Sequence, residues 1–215
     1  MKFNRREGYL FGAGLLALLG LVKLLFNTLS TLPQPETQQP RLSKATDLPK
    51  TAMRLNDLRF TVDRNRRSVC AFSLETGKKV WESTGEERFI IPGAAFPIDL
   101  SPDGELWVAN VGRKRLEQLD PQTGRFLASW QPTKPFAGCC NPVRFAVLAR
   151  GRFVTMEKGS RQICIYLPSG DLEKIFTGEL SVSEYDYHLH HNDDTVFLSD
   201  LHSTQQWEVP YNDSP

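Results

Sequence analysis

A repeat constrains this chain more than any other feature. Sliding residues 51–215 against themselves brings out offsets of 47, 47 and 43 residues. RFTVDRNRRSVCAFSLETG, from Arg59 to Gly77, lies over LWVANVGRKRLEQLDPQTG, which ends at Gly124. FVTMEKGSRQICIYLPSG, from Phe153 to Gly170, and VFLSDLHSTQQWEV, from Val196 to Val209, continue the series. Each unit reads as an apolar strand, a short polar turn and a second alternating strand. In three of the four units a turn with Gly opens a third strand (GKKVWES, GRFLASW, GDLEKIF). A further strand ending in a turn precedes each unit: PIDLSPDG, VRFAVLARG, YHLHHNDD and, less clearly, KTAMRLND. Four short antiparallel strands in every 40 to 50 or so residues is the pattern of propeller blades. The expectation is an all-β body, a β-propeller of about four blades, with repeats near 51–83, 96–130, 142–176 and 186–210. The fourth repeat ends near Pro210 without an outermost strand. Either the segment before Met53 supplies that strand and a small ring closes, or the open edge is buried against a partner or a second copy.

The amino end reads as an anchor. After a short basic stub, residues 1–8, the run YLFGAGLLALLGLVKLLFNTL spans Tyr9 to Leu29. About 21 residues make a helix of roughly 31 Å, the thickness of a bilayer core. Lys23, the one charge within it, lies near the far end, where its ammonium can reach the headgroups. Lys2, Arg5 and Arg6 precede the run and hold the terminus in the cytoplasm, sending the rest of the chain across. The expectation is one transmembrane signal-anchor helix, residues 9–30, in the cell (inner) membrane, with the body extracytoplasmic or periplasmic. A cleaved secretory signal is the alternative, although no A-x-A-like site follows. Residues 31–50, rich in Pro and Gln, read as an extended tether, and the propeller domain as 51–215.

Charge narrows the function classes. Residues 1–31 carry a net +3, residues 32–50 a net +1, and the remainder a net −3. A mildly acidic body lacks the broad basic surface of a non-specific nucleic-acid binder, so no nucleic-acid partner is expected.

The stretch FPIDLSPDGELWVANVGRKRLEQLDPQTGRFLASW, from Phe96 to Trp130, resembles the units of NHL and YVTN repeat propellers. Those units run from an apolar strand through SPDG to a strand ending in AN or TD, then to a D-x-x-TG turn. The second repeat matches nearly position for position, the first and third moderately and the fourth poorly, together over about three-quarters of the chain. The segment FAGCCNPVRFAVLARGRFVTMEKGSRQICIY is similar to one found in extracytoplasmic NHL-repeat proteins of bacteria, with the same GCCNP and EKG words. The resemblance implies the fold and a binding or scaffold role; it carries no activity, since such propellers host many. NHL propellers commonly close with six blades, and this chain departs from them in having four repeats.

Blade topology gathers the candidate sites. The turn between second and third strands and the connection between blades open on one face. The turns DRNRRS, NVGRKR and EKGSRQ bring Arg64, Arg66, Arg67, Arg113, Lys114, Arg115, Lys158 and Arg161 to that face, where they either keep the turns soluble or receive an anionic ligand, an acidic protein surface or lipid headgroups. The same register superimposes Asp63, Asn110, Glu157 and Asp200, whose expected role is to cap their turns, with a cation site as the alternative. Cys139, Cys140 and Asn141 sit in FAGCCNP on the same face. In an oxidising compartment adjacent cysteines can close a disulfide ring or pair elsewhere; a structural role is the alternative, and a metal-ligand role the weaker one, since the pair lacks the C-x-x-C reach. Cys70 and Cys164 hold equivalent positions in blades one and three and read as core thiols, as does Trp107 as core. Trp81, Trp130 and Phe176 fall at matching places and read as packing between blades.

His188 and His190 share one face of a strand, with Asp186 nearby, a set that can bind zinc. The register puts His188 over Ile98 and Phe145, and His190 over Leu100 and Val147, which are packing positions. No Ser-His-Asp, phosphate-loop or paired-carboxylate signature is present. No cofactor is therefore expected, with a divalent metal as the alternative. The reading is a membrane-anchored module that docks a protein or ligand. The competing classes are a metal-dependent propeller enzyme of lyase or lactonase type and a thiol-redox accessory of a membrane electron-transfer complex.

Overall fold

In the computed structural model the described residues are 41–43, 53–158, 162–177, 187–191, 196–200 and 206–209. All lie in one compact unit, Thr37–Pro215. The span expected over residues 9–30 lies outside them. Among the described residues no helix is long and apolar enough to cross a membrane.

The described strands form four antiparallel sheets of four strands each. Blade one is β2 (Arg54–Leu55), β3 (Leu58–Asp63), β4 (Ser68–Ser73) and β5 (Lys79–Ser83). Blade two is β6 (Ile98–Leu100), β7 (Leu106–Asn110), β8 (Arg115–Leu119) and β9 (Phe126–Trp130). Blade three is β10 (Arg144–Val147), β11 (Phe153–Glu157), β12 (Gln162–Tyr166) and β13 (Leu172–Thr177). In these three the strands pair in chain order, as in propeller blades. The fourth sheet has the order β1-β16-β15-β14, from β14 (Tyr187–His191), β15 (Val196–Asp200), β16 (Gln206–Val209) and β1 (Arg41–Ser43). Three residues of the segment read as tether thus form the outer strand that the fourth repeat lacks, with Leu42 opposite Trp207.

The repeat period is visible in the ladders. Between third and fourth strands the register slips at Ala71/Phe72, Gln118/Leu119 and Ile165/Tyr166, positions 47 residues apart. Each slip precedes a tight turn. Asp120 Oδ1 accepts the backbone N–H groups of Gln122 (2.7 Å) and Thr123 (3.1 Å), and Gly124 N–H bonds Asp120 O at 2.8 Å. Those donors, Gln122 N–H first, hold the Asp120 carboxyl below its usual range.

Adjacent blades are joined by indoles. Trp81 Nε1 of blade one donates to Pro121 O of blade two at 3.0 Å, and Trp130 Nε1 of blade two donates to Pro168 O of blade three at 3.1 Å. The two tryptophans are not at matching ladder positions, as the sequence had implied. Trp81 faces Ala71, whereas Trp130 faces Leu116 and Phe176 faces Ile163, so the blade-one counterpart of Trp130 and Phe176 is Ser83. Both indoles still reach the next blade because they lie on one face, two residues apart in register. Phe60, Trp107 and Phe153 fill a core shared by blades one to three, and Trp107 meets Phe153 edge-on at 4.9 Å. A second cluster, with Val143, Met156, Ile163, Phe176, Val196 and Leu198, lies between blades three and four. Burying each such side chain contributes about 1.5–3 kcal/mol.

Candidate binding face and the Cys139–Cys140 turn

Two long inter-blade connections, residues 84–97 and 131–143, build the candidate face, and each is held from beneath by buried polar groups. The first is seated by Phe89 and Phe96, whose rings lie 5.3 Å apart. Asn110, at the end of β7, is wholly buried; its Oδ1 accepts Ile90 N–H at 2.9 Å and its Nδ2 donates to Glu117 Oε1 at 2.8 Å. Glu117 Oε2 accepts Glu86 N–H at 3.2 Å, and Arg115 bridges Glu117 (2.9 Å) and Glu86 (2.7 Å). A fully buried carboxylate is costly unless paired, and Glu117 is paired on both oxygens. Spacing in the repeat places it where blades one and three have the buried Cys70 and Cys164. That mismatch, an acid aligned on two core thiols, is the signal that sequence reasoning passed over.

The second connection carries the cysteines. Phe136 anchors it, buried against Trp130 (6.4 Å) and Tyr166 (6.2 Å). The chain then rises through Gly138 (φ 63°) to an exposed Cys139 and a half-buried Cys140 (φ 67°), both free thiols. Asn141 returns it to the interior. It is 1% exposed, donates from Nδ2 to Ala137 O at 2.6 Å, and accepts Lys158 N–H on Oδ1 at 2.7 Å. The Asn141–Pro142 peptide is cis. Glu157 lies buried beside this stem and accepts the Tyr166 hydroxyl at 2.8 Å. Burial pushes the Tyr166 phenol well above its ordinary range.

Several arginines of the cationic turns are paired with acids. Arg66 lies 3.4 Å from Glu82 and 3.8 Å from Asp63, and Arg113 lies 2.7 Å from Glu87. Lys114 takes a left-handed conformation after the short 3-10 turn Val111–Arg113. Arg161 lies outside the described residues. The glutamates of the 84–97 connection thus offset much of the positive potential that the arginines alone would give.

Three of the superimposed polar ends of the second strands serve the protein's own groups. Asp63 Oδ1 accepts Arg66 N–H at 3.0 Å, Asn110 holds Ile90, and Glu157 takes Tyr166. Asp200 falls at the matching end of β15. Cys70 and Cys164 are buried, and burial raises both thiols, Cys164 to about 12. Among the described residues no group of three or more His, Cys, Asp or Glu side chains is placed to hold a metal ion. Asp186 lies outside the described residues, as does the His190 side chain.

The histidine register differs by one residue from the sequence alignment. Leu189, not His188, holds the place of Ile98 and Phe145, because Leu189 faces Leu198 as Ile98 faces Val108 and Phe145 faces Thr155. His191 consequently holds the place of Leu100 and Val147. His188 is exposed. His191 instead meets an unexpected partner: its Nε2 lies 3.1 Å from Asp99 Oδ2, which also accepts Val147 N–H at 2.7 Å. One buried carboxylate thereby links β6, β10 and β14.

No family model matches this chain, and no curated protein does. Solved structures do. A catalytically inactive virginiamycin B lyase from Staphylococcus aureus with quinupristin matches at 14% identity and a TM-score of 0.47, over 70% of this chain and 47% of the lyase. Kuenenia stuttgartiensis hydrazine synthase matches at 13% identity and 0.47, over 71% and 46%. The WD40 β-propeller domain of Doa1 matches at 14% and 0.46, over 74% and 48%. The chain spans about half the length of these structures. Its own sheets, three four-stranded antiparallel meanders and a fourth completed by β1, packed side by side, define a repeat β-propeller.

Proposed function

We propose that this chain is a membrane-anchored, extracytoplasmic propeller of NHL or YVTN type that docks a protein or an anionic ligand on the face formed by residues 84–97 and 131–143. One observation carries the reading: the 131–143 turn is exposed at its tip and locked at its stem, by Phe136 below and by Asn141 across to Lys158. A preorganised protruding loop loses little entropy on binding, which is how rigid scaffolds present recognition segments. Arg66, Arg113 and Lys114 lie in the strand turns proposed as its polar rim, and the pairing of Arg66 with Glu82 and of Arg113 with Glu87 favours a partner of mixed charge over a polyanion. The anchor rests on the apolar run Tyr9 to Leu29 and on Lys2, Arg5 and Arg6 before it.

Two experiments on the full chain in cells test this. A membrane-impermeant thiol reagent applied from outside the cytoplasm reacts with Cys139 if the body lies there; protection until lysis overturns that location. A photo-reactive residue replacing the exposed Lys134 gives a discrete cross-linked species, while the same residue replacing Glu75, in the exposed β4–β5 turn, does not. Identical patterns from both positions, or none from either, overturn the docking reading.

A further inference from the structure

Successive side chains of extended backbone point to opposite sides, so adjacent cysteines do not ordinarily meet. This tip is not extended: left-handed backbone at Gly138 and Cys140 curls the turn about Cys139, and the two adjacent thiols share its tip. The tip can do chemistry without disturbing the fold beneath it. Asn141 is fixed on both sides of its amide by Ala137 and Lys158, Phe136 is buried, and the remaining cysteines, Cys70 and Cys164, are walled into the core. A disulfide arriving from solvent therefore meets one pair of thiols with unequal access, Cys139 exposed and Cys140 half-buried.

We propose that Cys139 and Cys140 form a thiol–disulfide exchange site, a dithiol that reduces a small-molecule or protein disulfide and is itself oxidised to a disulfide between adjacent residues. This rests on the geometry of the turn and holds or fails apart from the docking reading. Cys139 loses its proton to solvent and attacks one sulfur of the incoming disulfide; a mixed disulfide forms and the first substrate thiolate leaves. Cys140 then loses its proton and attacks Cys139 Sγ; the intramolecular S–S bond forms, the mixed disulfide breaks, and the second thiolate leaves. Two protein thiols are oxidised, one disulfide is reduced to two thiols, and the electrons balance. Exposure assigns the order: the accessible sulfur captures the substrate and the shielded one resolves it. The neighbouring Cys139 thiol, then burial, raises Cys140, against the opposing charge of Lys158. Ring closure accordingly accelerates from neutral to alkaline pH until Cys140 is ionised.

The test uses the full chain in detergent, held in glutathione buffers of graded oxidation, quenched with acid, alkylated and mapped by mass. The expected wild-type product is a peptide carrying residues 139 and 140 without the two thiol hydrogens, restored by a reductant, with Cys70 and Cys164 still alkylated after denaturation. Cys140→Ser traps glutathione on Cys139, and Cys139→Ser captures at least about tenfold less, because its remaining thiol is shielded. Both residues sit at the tip, so neither substitution removes a core contact. Separate glutathione adducts on both cysteines with no ring, equal trapping by the two variants, or a ring formed only in denaturant would each overturn the proposal.

Discussion

A single carboxylate on the surface of blade one couples its outer strands to pH. Glu82, in β5, accepts hydrogen bonds from the Lys79 ammonium and from the Ser68 hydroxyl (2.8 Å) in β4, and Arg66 lies 3.4 Å away. Lys79 first, then Ser68, hold its carboxyl down from the usual 4.5 to about 2. A carboxylate lowered in the folded state contributes stability that is complete above its unfolded pKa and is lost as pH falls through the folded one. Unfolding midpoints should therefore decline as pH drops from about 4.5 to about 2. Glu82→Gln should flatten that decline by lowering the midpoint modestly near pH 7, where the contribution is complete, and by meeting the wild-type curve near pH 2, the size of the difference being small because the pair is exposed. Thermal melts of both proteins across that range, repeated at high salt, read this out. A wild-type and a variant curve of the same slope would place the acid sensitivity elsewhere.

The elements communicate through the turn between third and fourth strands, and two glycines separate backbone from packing there. Gly77 in blade one and Gly124 in blade two occupy the same repeat position, both left-handed, with φ of 67° and 72°. A Cβ at Gly77 meets nothing within 4 Å, whereas one at Gly124 falls 2.6 Å from Trp81 Cε3 of the neighbouring blade. Gly77→Ala should cost about 1–2 kcal/mol for the left-handed alanine alone. Gly124→Ala should cost about 2–4 kcal/mol, because the indole bonded to Pro121 must also give way. Denaturant unfolding gives both values, and their difference isolates the clasp between blades; equal costs would mean that Trp81 moves freely. This glycine was legible in the sequence, and so were most strands, because a blade is a local pattern of apolar alternation closed by turn residues. Partnerships between blades were not. His191 and Asp99 stand 92 residues apart, and no alternation along β14 indicates which of three histidines faces inward. The aligned strands placed His188 one residue off because the fourth repeat offers few apolar residues to fix the register. Glu117 was legible in principle, as an acid in register with Cys70 and Cys164, but its need for Asn110 and Arg115 became visible only with the 84–97 connection folded over it.

At the scale of the whole molecule, blades that are alike must still be joined and their outer edges managed. Asp99 does the first: its Oδ2 takes Val147 N–H and His191 in one place, with both Asp99 and His191 side chains about nine-tenths buried. Asp99→Ala leaves a buried donor and a buried imidazole without that acceptor and should cost about 2–4 kcal/mol, measured by denaturant unfolding. A loss below about 0.5 kcal/mol would show that the link is incidental. The outer edge is the harder problem, since a propeller repeat that ends on its third strand presents β16 unpaired. Here β1, from the segment before the first repeat, lies antiparallel on it, with Arg41 opposite Glu208, Leu42 opposite Trp207 and Ser43 opposite Gln206. This couples the beginning of the body to its end, so the fourth blade should be the part most sensitive to what precedes residue 51. A chain of residues 51–215, compared with one of residues 37–215, forfeits two or three ladder hydrogen bonds, about 2–3 kcal/mol. For a body of this size that lowers the unfolding midpoint by about 5–10 °C. The bared edge of β16 is also a template for a second copy, so the shorter chain should associate in sedimentation while the longer one remains monomeric. Equal midpoints and equal mass for the two chains would mean that β1 is dispensable and that the fourth sheet is complete with three strands.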